Sequence, residues 1–581
     1  MAALLALVLC FAIGTWALDR AALDLPAVIA YRPVLLVVNA MPGLLLAATF
    51  LVVTRRLYAS MLLAFGLQAL LFRASAIKLD LLAAPVTIHD LAMVRHAEGL
   101  ANIAWHYVDS SLVLWLALAV LVWLWLLLRE KPVIKRFGMG SVVLAAVVAV
   151  SGTWMISGKP LPLYDKTTLR FEAFSPVRSV LHAGLIGSLV SANSQMIGNW
   201  RLPVRSKWTG IPAPVVHHPA TPRDDLPDLI MVQAESLFDP NLLKQAGQIG
   251  DVLPRLRELL KRGTGGPLEV PTFGGGTIRT EFEALTGIPL SALPNVSYPY
   301  LELDNGDLRS VASELDRHGY RTIAVHPNNA ATWGRERVFK RMGFQQFVTL
   351  EDFPKSAARD GYYISDHALV DEVTGLLKES TDPHFIFAIS IEGHGPFDSN
   401  PVARPEERDS IKVPASLSTE GRRELQNYLY HAAHADRELG RLLDILKQRK
   451  RRSILVVYGD HLPGFRRVYD ELGFADDRDP VKQPTFWLMI DSAAPSVARS
   501  DLTIASWMLP SVLLHQSGLD DDDYFPLVGK LGARLVSDDS DSLPGFSSEE
   551  LRKALDEAAF ARISGQFEEK AEQADGVSSG K

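Results

Sequence analysis

Ser453-Ile454-Leu455-Val456-Val457-Tyr458-Gly459-Asp460-His461 is a short apolar run that stops on a glycine, a carboxylate and an imidazole. Apolar, β-branched and this short, it reads as a buried strand rather than a helix. Three more runs end alike. Leu229–Gln233 leads to Glu235 and Ser236. Thr322–Val325 leads to His326, and then to Trp333 and Arg335. His384–Ile389 leads to Glu392 and His394. From Asp228 onward such runs alternate with helical stretches, and Pro484–Ile490 continues the pattern. That alternation predicts an α/β domain with a mostly parallel sheet and helices on both faces. In such sheets, ligand-binding side chains gather just past the C-terminal ends of the strands. Four strands that each deliver a carboxylate or imidazole to one edge therefore predict a site there.

A second stretch supplies what those strand ends lack. Pro271-Thr272-Phe273-Gly274-Gly275-Gly276-Thr277-Ile278-Arg279-Thr280-Glu281-Phe282 is a glycine-rich turn running into a helix. Glycine lets the backbone turn sharply and approach a ligand closely. The unpaired N–H groups of a first helical turn suit an anion. A threonine there is either a plain N-cap or a hydroxyl placed to attack a phosphoryl group. The neighbouring strand ends favour the second reading. Glu235, Asp460 and His461 offer two oxygens and a nitrogen to a divalent metal, with Thr277 as fourth ligand and nucleophile. Such mixed ligation suits manganese, zinc or magnesium. Arg335 is expected to clamp phosphate oxygens with its planar fork. His394 and His326 are expected to hold substrate or pass protons.

The 581 residues allow more than one domain, and 48% are hydrophobic, concentrated before about residue 157. Five runs there have roughly the length that crosses a bilayer: Ala2–Leu18, Pro33–Val53, Leu57–Phe72, Ser111–Leu128 and Ser141–Ile156. Arg55 and Arg56 crowd one short loop, and Arg129, Lys131, Lys135 and Arg136 another. Basic short loops stay in the cytoplasm, so the N-terminus is expected inside and the chain after Ile156 outside. Residues 158–227 read as a juxtamembrane linker, with an amphipathic helix over Ser179–Gly198 and a proline-rich spacer. After Glu549–Phe560, another expected helix, the tail is polar and expected to be disordered. The formal charge of −7 argues against a nucleic-acid binder, and the single cysteine, Cys10, excludes a disulfide within the chain.

These motifs resemble the lipoteichoic acid synthase and phosphoglycerol transferase family of the alkaline phosphatase superfamily. The resemblance rests on Glu235-Ser236, Gly276-Thr277 followed by Glu281-Phe282, His326 with Trp333 and Arg335, His394-Gly395-Pro396-Phe397, and Tyr458-Gly459-Asp460-His461. It implies five transmembrane helices over 1–157, the linker, an extracytoplasmic sulfatase-like catalytic domain over 228–540, and a tail over 541–581. It also implies a metal that is often manganese and a threonine nucleophile. Trp333, Arg335, His326 and His394 would bind substrate. The donor would be phosphatidylglycerol, and the acceptor an envelope glycan or glycolipid, reached through a phosphoglycerol-threonine. Ile278-Arg279 stands where the Gram-positive polymerases tend to carry Ser-Asp, which adds positive charge near Thr277. Two other activities fit parts of the pattern: a phosphoethanolamine transferase, and a membrane-anchored regulator that no longer catalyses. A sulfatase would need an oxidised cysteine or serine where Thr277 stands.

Overall fold

The computed structural model describes residues 2–22, 32–82, 110–134, 176–197 and, with short breaks, 225–565, together with a few residues between these. The chain divides into two compact units, Met1–Arg201 and Leu202–Lys581.

In the first unit, α1 (Ala2–Ala22), α2 (Pro33–Thr54), α3 (Leu57–Leu82) and α4 (Ser110–Arg129) are long and apolar enough to cross a membrane. Among the described residues these four are the candidate spans. Half of the expected fifth, Ser141–Ile156, lies outside the described residues. The third helix runs on past Phe72 to Leu82, and Gln68 does not interrupt it: its amide is buried and donates to Thr15 Oγ1 of α1 at 2.8 Å. The two basic loops meet. Arg56 Nε donates to Glu130 O at 3.1 Å, and the Glu130 carboxylate accepts the N–H groups of Tyr58 and Ala59. Arg56 and Glu130 therefore lie at one end of the bundle, whereas Lys135 and Arg136 lie outside the described residues.

The helix expected over Ser179–Gly198 is two helices, α5 (Pro176–Ala183) and α6 (Leu185–Ile197), broken at Gly184 with φ +75°. The break fits a polar contact. Asn39 of α2 donates to Ala183 O at 2.9 Å and accepts the Gly187 N–H at 2.9 Å. Asp19 of α1 accepts the Leu185 N–H at 2.9 Å. The pair thus packs on the spanning helices of its own unit. The proline-rich spacer lies outside the described residues.

The second unit is built on an eight-stranded sheet in the order β10-β2-β9-β8-β1-β7-β3-β4. Its strands are β1 (Asp228–Ala234), β2 (Thr264–Glu269), β3 (Arg321–His326), β4 (Gln346–Thr349), β7 (His384–Ile389), β8 (Ser453–Gly459), β9 (Thr485–Asp491) and β10 (Ile504–Ala505). A hairpin of β5 (Arg359–Asp360) and β6 (Tyr363–Ile364) lies apart. β8, β1, β7, β3 and β4 run parallel, whereas β9 is antiparallel to both β8 and β2. β1 sits between β7 and β8 with Gln233 opposite Ile389 and Tyr458. The helices α8 (Asp366–Glu379) and α9 (Thr419–Gln448) pack on the sheet, and α7 (Thr277–Thr286) packs against the segment Ser506–Ser517 that follows β10. α9 buries Leu425, Leu429, Leu439, Leu442 and Leu446 along one stripe. The C-terminal helix α10 (Ser548–Ile563) also buries an apolar face, and Arg562 pairs with Asp522. Packed structure thus continues well past residue 540, and residues 568–581 lie outside the described set.

Candidate active site

β1 and β8 are neighbours and parallel, so their C-terminal ends deliver Glu235 and Asp460-His461 side by side. The chains leave the sheet closely packed. A Cβ at Gly459 would stand 1.9 Å from Leu237 O, and Ser236 adopts φ +55°. Asp460 Oδ1 accepts the N–H groups of Ser236 at 2.8 Å and His461 at 2.9 Å. Asp460 Oδ2 is buried and has no hydrogen-bond partner among the described residues. His461 Nδ1 lies 3.0 Å from Leu462 O, which can only accept, so Nδ1 carries a proton and Nε2 is the nitrogen that faces the carboxylates. That Nε2 is 3.3 Å from Asp460 Oδ2, 3.7 Å from Glu235 Oε1 and 3.4 Å from Thr277 Oγ1.

Tetrahedral bonds of about 2.0–2.2 Å give ligand–ligand edges of about 3.3–3.6 Å; the Asp460 and Thr277 separations fall in that range, and the Glu235 one lies just above it. An orphaned carboxylate oxygen costs free energy unless something cationic meets it. Two acids, an imidazole whose Nε2 is turned toward them and a hydroxyl therefore fit a divalent ion. Burial raises the Asp460 carboxyl to about 7, helped by the charge of Glu235. His461, the Ser236 N–H and the Thr277 hydroxyl pull the other way.

The glycines place Thr277. Gly274, Gly275 and Gly276 have φ of +67°, +153° and +75°, where a side chain would be strained. The turn is tied to the neighbouring loop, since Gly274 N–H donates to the same Leu462 carbonyl that accepts from His461. Thr280 Oγ1 donates to Asp460 O at 2.6 Å and pins α7 against the end of β8. Arg279 donates to Pro271 O and Val296 O, both at 3.2 Å, so its fork is engaged with the surrounding loops.

The remaining expected residues form a second group. Arg335 is buried, and its Nε and Nη2 bond the buried Glu281 carboxylate at 2.9–3.2 Å. Among the described residues only its Nη1 finds no hydrogen-bond partner, so the clamp expected from its full fork is reduced to one edge. Glu281 also accepts from Gln233, which accepts from Tyr458 OH. The Glu235 charge acts on Arg335, which puts the two groups in one electrostatic neighbourhood. Burial, then the Arg335 charge, holds His326 well below the usual histidine range, and its Nδ1 donates to Ile389 O at 3.2 Å. Trp333 adopts φ +62° and stacks on Tyr298, with ring centroids 5.2 Å apart. His394 Nδ1 lies 3.2 Å from Tyr363 OH and 2.8 Å from Gly395 O. Tyr363 and Tyr298 carried no sequence signal, coming from a short hairpin and a loop. Glu281 stood inside the threonine motif, but its partner could not be read from there.

Residues 227–513 match the family model described as Sulfatase. The chain is 33% identical over 318 residues to a Rhizobium meliloti (strain 1021) protein named for cyclic beta-1,2-glucan modification. That match covers 52% of this chain and 48% of the relative. It is 23% identical over 157 residues to lipoteichoic acid synthase 1 of Bacillus subtilis (strain 168), covering 26% and 23%. The chain thus spans about half the length or less of these curated relatives. Among solved structures, lipooligosaccharide phosphoethanolamine transferase A of Neisseria meningitidis superposes with a TM-score of 0.53 at 14% identity. That superposition covers 89% of this chain and 95% of that one, and it is a likeness of fold.

Proposed function

Since residues 227–513 form a sulfatase-family domain of the alkaline phosphatase superfamily, we propose that the protein transfers phosphoglycerol from phosphatidylglycerol to an envelope glycan or glycolipid. The observation that carries this reading is the convergence of Glu235, Asp460 and His461, with an unpartnered carboxylate oxygen, beside the Thr277 hydroxyl. The Thr277 oxygen attacks the lipid phosphorus, the bond to diacylglycerol breaks, and diacylglycerol leaves with a proton. A glycan hydroxyl then attacks the phosphothreonine and restores the Thr277 hydroxyl. A divalent ion, manganese in this proposal, would lower the pKa of the Thr277 hydroxyl and offset phosphoryl charge. Glu235, Asp460 and His461 would hold it, and Arg335 Nη1, His394 and neutral His326 would orient the headgroup. A relative named for glucan modification supports a glycan acceptor.

Donor access requires the second unit to face the outer leaflet. Five spans with both basic loops in the cytoplasm give that topology in an inner membrane. Phosphoethanolamine transfer is the second reading, and the Trp333–Tyr298 stack favours it by offering an aromatic face to an ammonium group. Proteoliposomes of phosphatidylglycerol or phosphatidylethanolamine, supplied with Mn2+ and a glucan acceptor, distinguish the two. Diacylglycerol release from phosphatidylglycerol alone is the expected result. Release from phosphatidylethanolamine alone would reverse the donor assignment, and release from neither would refute transfer.

A further inference from the structure

Glu392 follows β7 at the same sheet edge, yet its side chain takes no part in the Asp460 centre. It is 1% exposed. Its Oε1 accepts from His434 Nδ1 at 2.7 Å and His431 Nδ1 at 3.1 Å, both on α9. Its Oε2 accepts the N–H of Asp366, the first residue of α8, at 2.8 Å. Burial works against this charge, but the two histidines hold the carboxyl down at about 2.

The donor atoms of Glu392, His431 and His434 are close enough to share an ion. The proton positions say otherwise. Arg404 Nη2 lies 2.6 Å from His434 Nε2 and can only donate, so His434 carries its proton on Nδ1, toward Glu392. His431 Nε2 is buried without a partner among the described residues, whereas metal-bound imidazoles donate from their other nitrogen. The Asp460 centre passes this test and the Glu392 cluster fails it.

What the cluster holds is the loop from Ser390 to His394. Ser390 Oγ accepts the Glu235 N–H at 2.8 Å. Gly393 packs so closely on Glu235 that an added Cβ would stand 2.7 Å from its carbonyl oxygen. His394 N–H closes the loop on Ile391 O at 3.0 Å. The loop therefore clamps the backbone of the candidate metal ligand Glu235 on one side and carries His394 on the other.

We propose that Glu392, held by His431, His434 and the Asp366 N–H, is a positioning residue that sets Glu235 for metal binding through the 390–394 loop. This rests on the metal-centre reading but not on any donor or acceptor. The test is equilibrium dialysis of Mn2+ with the purified full-length chain in detergent, alongside its metal-free melting temperature. Groups that orient metal ligands typically change affinity by about 10–100-fold. Glu392→Gln, whose amide cannot accept on both sides, and His434→Ala are each expected to weaken Mn2+ binding at least about tenfold on that scale. His434→Asn, which keeps a donor where Nδ1–H stands, is expected to retain most of the affinity. A merely structural role would lower the melting temperature and leave Mn2+ affinity unchanged. Wild-type affinity in folded Glu392→Gln overturns the proposal. Should that variant not fold, equal affinities of His434→Ala and His434→Asn overturn it. A wild-type chain that binds Mn2+ but transfers nothing would refute the proposed function and leave this test standing.

Discussion

The Asp460 carboxyl gives the metal centre a pH dependence whose sign and size can be derived. Burial and the neighbouring Glu235 charge raise it from 3.8 to about 7 in the metal-free protein. An ion at Oδ2 needs the carboxylate, so below that value binding must displace a proton. With one proton displaced, the apparent Kd rises about tenfold per pH unit below pH 7, and about tenfold in all between pH 8 and pH 6. Stability of the metal-free fold runs the other way. The folded pKa lies above the unfolded one, so between about pH 4 and pH 7 the folded state binds more protons than the unfolded chain. The metal-free fold therefore loses stability as pH rises through that window, and saturating Mn2+ restores it. Equilibrium dialysis at the two pH values gives the affinity ratio. Calorimetry in buffers of different ionisation enthalpy counts the protons, expected to be close to one per ion at pH 6 and close to none at pH 8. An affinity that is flat across this range, with no proton released at pH 6, would refute the reasoning.

Thr277→Ala keeps Glu235, Asp460 and His461, so the chain should still take up Mn2+ in dialysis while headgroup transfer falls by about four orders of magnitude or more; residual transfer near wild type contradicts the nucleophile. Glu281→Gln leaves the buried Arg335 guanidinium without its charge partner, at a cost of about 3–5 kcal/mol. A lower urea midpoint of tryptophan fluorescence would show that cost, and adding Arg335→Met should recover most of it; an unshifted midpoint in the single variant counts against the pair. Gly184→Ala forces a side chain into φ +75° and within 2.3 Å of the Asn39 amide. The α5–α6 pair should then come off the bundle and be cut faster by protease within residues 176–197, whereas an unchanged cleavage rate means the break tolerates a methyl group.

The strands legible in the sequence were those whose apolar runs are long and central: β1, β3, β7, β8 and β9. β2 was hidden because Gly265-Gly266-Pro267 reads as a turn. Its glycines are there for close approach, since a Cβ at Gly265 would stand 2.5 Å from Trp487 O on β9. β4, β10 and the β5–β6 hairpin are too short to carry a period. The convergence of Glu235, Asp460 and His461 was legible because parallel neighbours end at the same edge, and the threonine turn announced itself through three glycines. Arg335 shows what pattern cannot reach. Its partner Glu281 lies 54 residues away, and only packing reveals that the pair engages most of the guanidinium. His431 and His434 were hidden for another reason: on a long amphipathic helix they occupy positions that read as ordinary core.

Whether one hydroxyl takes the lipid headgroup decides the proposed mechanism. Purified chain incubated with phosphatidylglycerol and Mn2+, without acceptor, then quenched in acid and digested, lets mass spectrometry locate the adduct. The expected result is one phosphoglycerol group on the peptide carrying Thr277, absent in Thr277→Ala and without metal. Diacylglycerol released with that peptide unmodified, or the adduct on another residue, would contradict it.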